Sequence, residues 1–104
     1  MLLEAAVRRA WKAHVSRILI DGSFVTEKPE PRDVDLVVRI GEAFARRLAH
    51  ENRDAQWIVD RSQDRHPKPL DLFTAADDEE WASWVRFFQQ DPWFGEKGII
   101  EVAP

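Results

Sequence analysis

The chain contains no cysteine. Disulfide bridges and thiolate metal sites are therefore excluded, and the compartment is left open with the cytoplasm as the default expectation. No apolar run approaches the roughly 18 residues that a bilayer span requires. The N-terminus lacks a signal-peptide pattern, so neither a membrane span nor export is indicated. Basic residues are outnumbered, 15 Lys and Arg against 19 Asp and Glu, for a formal net charge of −4. A general nucleic-acid binder normally carries a basic patch, so that class is disfavoured. An acidic balance is what a carboxylate cluster awaiting cations produces. There is no internal repeat and no low-complexity segment. What remains is an ordinary globular composition, 44% hydrophobic and 33% charged. A length of 104 residues predicts one domain, residues 1–104, with a real core and no room for a second substrate-binding domain.

The most informative stretch is Ile18 to Val38, ILIDGSFVTEKPEPRDVDLVV. It reads as a buried strand, a Gly22-Ser23 turn, a charged loop around Pro29 and Pro31, and a second strand opening on Asp33-Val34-Asp35. Carboxylates at i and i+2 of a strand project from one face, with Cα atoms roughly 6.5–7 Å apart. Such a pair can hold divalent cations, because Mg²⁺ prefers oxygen ligands and leaves further positions to water and phosphate. Gly22 permits close approach of a phosphate that a Cβ would block, and Ser23 supplies a small hydroxyl donor. Asp21 reads as a turn acid accepting backbone hydrogen bonds, with an extra metal-site acid as the alternative. Lys28 or Arg32 either meets substrate phosphates or sits on a solvated connection. An Asp-x-Asp on a strand is weak evidence alone: Asp33 can cap a turn and Asp35 can pair with an arginine.

These residues resemble the signature of the nucleotidyltransferase-fold superfamily, the polymerase-beta-like group, and in particular its small bacterial members, the minimal nucleotidyltransferases. Gly22-Ser23 is followed by nine residues and then Asp33-Val34-Asp35, one residue short of the commonest family spacing. Phe24-Val25-Thr26 stands where the family usually has Arg-Gly. A third acid fits at Asp71, in Pro69-Leu70-Asp71-Leu72-Phe73. The resemblance spans roughly Leu2 to Thr74. It implies a small α/β (α+β) fold with a mixed sheet and flanking helices. It also implies Mg²⁺-dependent transfer of a nucleoside monophosphate from a nucleoside triphosphate to an acceptor hydroxyl. Asp33, Asp35 and Asp71 would be the catalytic and metal-binding residues of a two-ion site, and Gly22, Ser23 and Lys28 the nucleotide contacts. Minimal nucleotidyltransferases often work with a separately encoded helical partner, so a protein partner or a homodimer is implied too. The alternative is a non-catalytic binding module of the same fold, antitoxin-like or regulatory, acting through a protein partner.

Elsewhere the pattern predicts a helix over residues 2–14, with Leu3, Val7, Ala10, Trp11 and His14 on one stripe. His14 reads as a packing or capping residue. The first strand is expected over 17–20, and a second over 34–40 whose Leu36-Val37-Val38 run fits a central position. A helix follows over 42–51 with Phe44 and Leu48 inward and His50 exposed. A short strand is expected around Trp57-Ile58-Val59. The polar loop 61–68 carries His66-Pro67, which reads as loop chemistry. A strand over 70–73 has Asp71 facing away from Leu70 and Leu72. Asp77 or Asp78 caps a last helix, running to about Gln90, with a stripe of Trp81, Trp84, Val85 and Phe88. Phe87, Trp93 and Phe94 are surplus aromatics suited to a contact surface, and Ile99 to Val102 forms an edge strand.

Overall fold

The computed structural model describes residues 2–22, 34–64, 70–89 and 98–102. The elements run α1 (Leu2–Lys12), β1 (Arg17–Gly22), β2 (Val34–Arg39), α2 (Glu42–Ala49), α3 (Arg53–Gln63), β3 (Leu70–Ala75), α4 (Asp78–Gln89) and β4 (Gly98–Val102). The strands form one mixed sheet in the order β3-β2-β1-β4. β1 pairs antiparallel with both β2 and β4, and β2 pairs parallel with β3. A parallel pair needs a long crossover, and α2 with α3 supplies it. The expected α/β class with a mixed sheet is therefore observed, with β4 at an edge.

Strand alternation divides the core into two clusters. On one face Ile18 and Ile20 of β1, Val34, Leu36 and Val38 of β2, and Leu70 and Leu72 of β3 pack against α1, α2 and α3. On the other face Leu19, Val37 and Ala75 meet Trp81 of α4, flanked by Phe73, Trp84, Val85 and Phe88. A strand covered on both faces must be apolar at consecutive positions. Leu36, Val37 and Val38 are all fully buried, as expected for the central strand.

Helix α1 departs from its expected stripe. The buried positions are Ala6, Ala10 and Ala13, while Leu3, Val7 and Trp11 pack only partly against the core and His14 is exposed. Three alanines at i, i+4 and i+7 form a narrow strip that faces the core, and the bulkier residues flank it. The helix stops because His14 takes the left-handed conformation, φ 64°. Its N–H reaches Trp11 O at 3.0 Å, and Val15 N–H reaches Ala10 O at 3.3 Å. These are the two bonds of a Schellman motif. Glu51, φ 57°, ends α2 the same way, through Glu51 N–H to Leu48 O and Asn52 N–H to Arg47 O.

The strand expected around Trp57-Ile58-Val59 is a helix. β-branched and aromatic residues favour strands in general, but the local caps decide otherwise. Asn52 Oδ1 accepts from Asp54 N–H and Ala55 N–H, each at 3.0 Å. Ala55 and Ile58, three apart, then turn into the core with no exposed area. At the start of α4 the expected cap is present: Asp77 Oδ1 accepts from Glu80 N–H at 2.8 Å.

The edge strand is held by Arg17. Its guanidinium donates to both oxygens of Glu101 on β4, at 2.5 and 2.9 Å. It also lies over the Trp81 ring, 4.5 Å from the centroid, so one side chain ties β4 and α4 to β1. Hydrogen bonding to Arg17 holds the Glu101 carboxyl below its ordinary value of 4.5. A carboxyl lowered on folding contributes stability above its unfolded pKa and loses it as pH falls through the folded one. The stability advantage of the wild type over Glu101→Gln is therefore expected to be full above about pH 4.5 and to vanish below that range. Both groups are largely solvated, so salt should also shrink the difference. Urea titrations of both proteins across pH check this; a difference unchanged at acid pH would contradict it.

Candidate functional site

Two strand registers determine the site. In the antiparallel β1–β2 ladder Asp21 stands opposite Asp35. In the parallel β2–β3 ladder Asp35 stands beside Asp71. Residues in register on neighbouring strands share a face, so three aspartates form one row across β1, β2 and β3. Neighbouring strands lie about 4.8 Å apart, which sets the spacing along the row. Alternation places the row on the α4 face, since Asp21, Asp35 and Asp71 are two residues from Leu19, Val37 and Phe73, respectively. Asp71 thus points away from Leu70 and Leu72, which are buried under the other helices.

The rest of that face shows how the charges are sorted. The middle row is apolar: Leu19, Val37 and Phe73. The far row carries Arg17, Arg39 and Ala75. These arginines lie four residues, about 13 Å, from the aspartates along the strands. Arg17 engages Glu101, and Arg39 Nε lies 3.3 Å from Asp78 Oδ1. Arg39 Nη1 also donates to the carbonyls of Ile40 and Ala76. The bases on this face are thus committed at the opposite end from the acids. Helix α4 starts beside Arg39 and runs back along the sheet. Its Trp84 ring meets Phe73 at 4.6 Å, and Trp84 Nε1 donates to Thr74 O.

The three acids differ in exposure. Asp21 is 3% exposed and is the buried charged residue among those described, while Asp35 and Asp71 are half-buried. Asp21 is therefore not a turn residue: it lies within the ladder, paired in register with Asp35 on one side and Ile99 on the other. The signal for this was present in the sequence. Leu19 and Asp21 share a face, and a hairpin pairing that brings Ile18 against Val38 must bring Asp21 against Asp35. Gly22 closes β1 in register with Gly98. Ser23, Lys28 and Asp33 lie outside the described residues, as do His66, Trp93 and Phe94.

The donor set suits a hard cation. It consists of carboxylate oxygens on one face, without sulfur or imidazole. Among the described residues no three His, Asp or Glu side chains close into a ready-made metal cage. Mg²⁺ does not require one, because it is commonly held by one or two carboxylates with water and phosphate completing the octahedron. Asp35 and Asp71 are adjacent across the β2–β3 ladder and half-buried.

Like charges directly opposite one another weaken a sheet by up to about 1 kcal/mol per pair. Asp71→Asn is therefore expected to raise the stability of the metal-free protein by a few tenths of a kcal/mol to about 1 kcal/mol. The same change should remove the stabilisation conferred by added Mg²⁺. Thermal and urea unfolding with and without Mg²⁺ measures both effects; a variant that is less stable without metal would mark Asp71 as a structural partner.

Among the described residues no helix is long and apolar enough to cross a membrane. No curated protein and no solved structure matches the chain. One family model matches residues 1–103. The chain belongs to a family of unknown function, DUF6932.

Proposed function

We propose that the protein is a metal-dependent nucleotidyltransferase: an acceptor hydroxyl attacks the α-phosphorus of a nucleoside triphosphate, the bond to the β-phosphate breaks, and pyrophosphate leaves as the nucleoside monophosphate is transferred. The observation that carries this reading is the in-register placement of Asp35 and Asp71 beside Asp21, at the strand ends next to Gly22. Asp35 and Asp71 hold the cation, with Asp33 added from the sequence resemblance. Bound Mg²⁺ supplies charge neutralisation for the phosphates and lowers the pKa of the attacking hydroxyl. The chain's own residues do the positioning. Gly22 leaves room for a phosphate against the β1 backbone, and Ser23 and Lys28 contact the phosphate oxygens. Asp71, at the sheet's outer side, accepts the acceptor's proton. Asp21 is the buried member of the row, on β1 beside Asp35. A cytoplasmic setting suits such a reaction.

A second reading is favoured by a different observation. Phe87 is 64% exposed. Its ring packs edge-on to Phe88 at 5.3 Å and to Trp84 at 6.0 Å, forming an aromatic ladder along α4. Aromatics are enriched in interface cores. In this reading the protein is a non-catalytic module, antitoxin-like or regulatory, that meets a helical partner or a second copy through α4. A partner seated on α4 fits either reading, but only the transferase reading requires a cation and a triphosphate at the aspartate row.

Calorimetric titration with a nucleoside triphosphate in the presence and absence of Mg²⁺ separates them. The transferase reading expects triphosphate binding that depends on Mg²⁺ and is weakened at least about tenfold in Asp35→Asn, the loss of one charge-assisted contact. Binding that ignores Mg²⁺ and Asp35 leaves the partner-binding module as the function.

A further inference from the structure

On the opposite face of the sheet, at the end away from the aspartates, a cavity of about 450 Å³ opens between the end of α1 and α2. It is lined by His14, Ala43, Arg46, Arg47, His50 and Asn52. Every ionisable group in that lining is a base, in a chain whose formal charge is −4. Two arginines in the last turn of α2 complement its dipole, and that alone would explain Arg46 and Arg47. It does not explain why Arg47 crosses to α1. Arg47 Nη2 lies 2.7 Å from His14 Nε2, and Arg47 Nε lies 3.4 Å from His14 Nδ1.

This contact is chemically incomplete. A guanidinium only donates, and a neutral imidazole offers a single acceptor nitrogen. Whichever ring nitrogen carries the proton, one of these two contacts sets an imidazole N–H against an Arg47 N–H. Two N–H groups converge there with no lone pair between them. An oxyanion is the group that accepts from both, and Arg groups bind phosphate oxygens in this manner. His14 and Glu51, the left-handed residues that end α1 and α2, lie in and beside the cavity, so both helix stops border it.

We propose that this pocket binds a compact phosphate monoester or inorganic phosphate, with Arg47 and His14 as the shared cradle and Arg46 and His50 as flanking donors. The volume falls within the range of small-ligand sites. Glu42, bonded to Arg46 at 2.7 Å, and the exposed Glu51 border the basic groups. They disfavour an extended polyanion such as a nucleic-acid strand while leaving room for a single phosphate. The proposal is independent of the aspartate row, which lies at the other end of the sheet.

The test is an NMR titration of the folded protein with inorganic phosphate, and separately with a phosphate monoester such as glucose 6-phosphate, against chloride at equal ionic strength. Saturable shifts of the His14 and His50 imidazole signals and of Arg47 Nε–H are expected, with half-saturation on the order of 1 mM or below. Arg47→Gln should weaken binding about tenfold, and the exposed Arg46→Gln should weaken it less. Asp35→Asn should leave it unchanged. A monoester that binds more tightly than phosphate identifies an esterified ligand, and equal affinity identifies the free anion. Shifts that do not saturate, or that chloride reproduces, overturn the proposal. So does saturable binding equally strong in Arg46→Gln and Arg47→Gln. A single-stranded oligonucleotide that displaces phosphate with a steep salt dependence overturns the small-ligand assignment.

Discussion

The structure depends on β2 lying between an antiparallel and a parallel neighbour. That one strand carries Leu36, Val37 and Val38, buried on both sides, and its registers determine what meets what across the sheet. A slip of one residue in either ladder would turn each apolar row toward the wrong face. The same constraint that seals the core therefore aligns Asp21, Asp35 and Asp71. Three acids in register oppose the stability of the sheet, and the apolar row immediately behind them, Leu19, Val37 and Phe73 under α4, stabilises it.

Charge is sorted along the strands as well as between faces. Acids occupy one end of the α4 face and Arg17 and Arg39 the other, each arginine already bonded to a carboxylate of β4 or α4. The arginines act as fasteners, joining the edge strand and the covering helix to the central strands. At the other end Asp35 and Asp71 are half-buried. On the opposite face a second, basic pocket sits between helix ends. An acidic row and a basic pocket thus lie at opposite ends and on opposite faces of the packed sheet.

Much of this was legible in the sequence, for identifiable reasons. Consecutive apolar residues marked β2 as central, because only a doubly covered strand needs them. The stripe of Trp81, Trp84, Val85 and Phe88 marked α4, and Phe87 off that stripe is exposed as its position required. Asp71 between two leucines pointed to the face opposite theirs, where it stands in register with Asp35. Three features were not read correctly. Residues 56–60 carry strand-favouring side chains, yet Asn52 and the Schellman stop of α2 start a helix there. The buried stripe of α1 consists of alanines, which a search for large apolar residues rotates past. Asp21 next to glycine looks like turn chemistry, and only the pairing register places it opposite Asp35. Part of the motif, Ser23, Lys28 and Asp33, lies outside the described residues.

The central claim is that the aspartate row receives a divalent cation between Asp35 and Asp71. Substituting Mn²⁺ for Mg²⁺ and recording paramagnetic broadening of backbone amide signals tests it directly. The account predicts that the earliest losses centre on Asp35 and Asp71, spread to Asp21 and Gly22, spare His14 and Arg47, and disappear in Asp35→Asn. Broadening scattered over the exposed acids Glu42, Glu79 and Glu80 with no centre on β2 and β3 would contradict it.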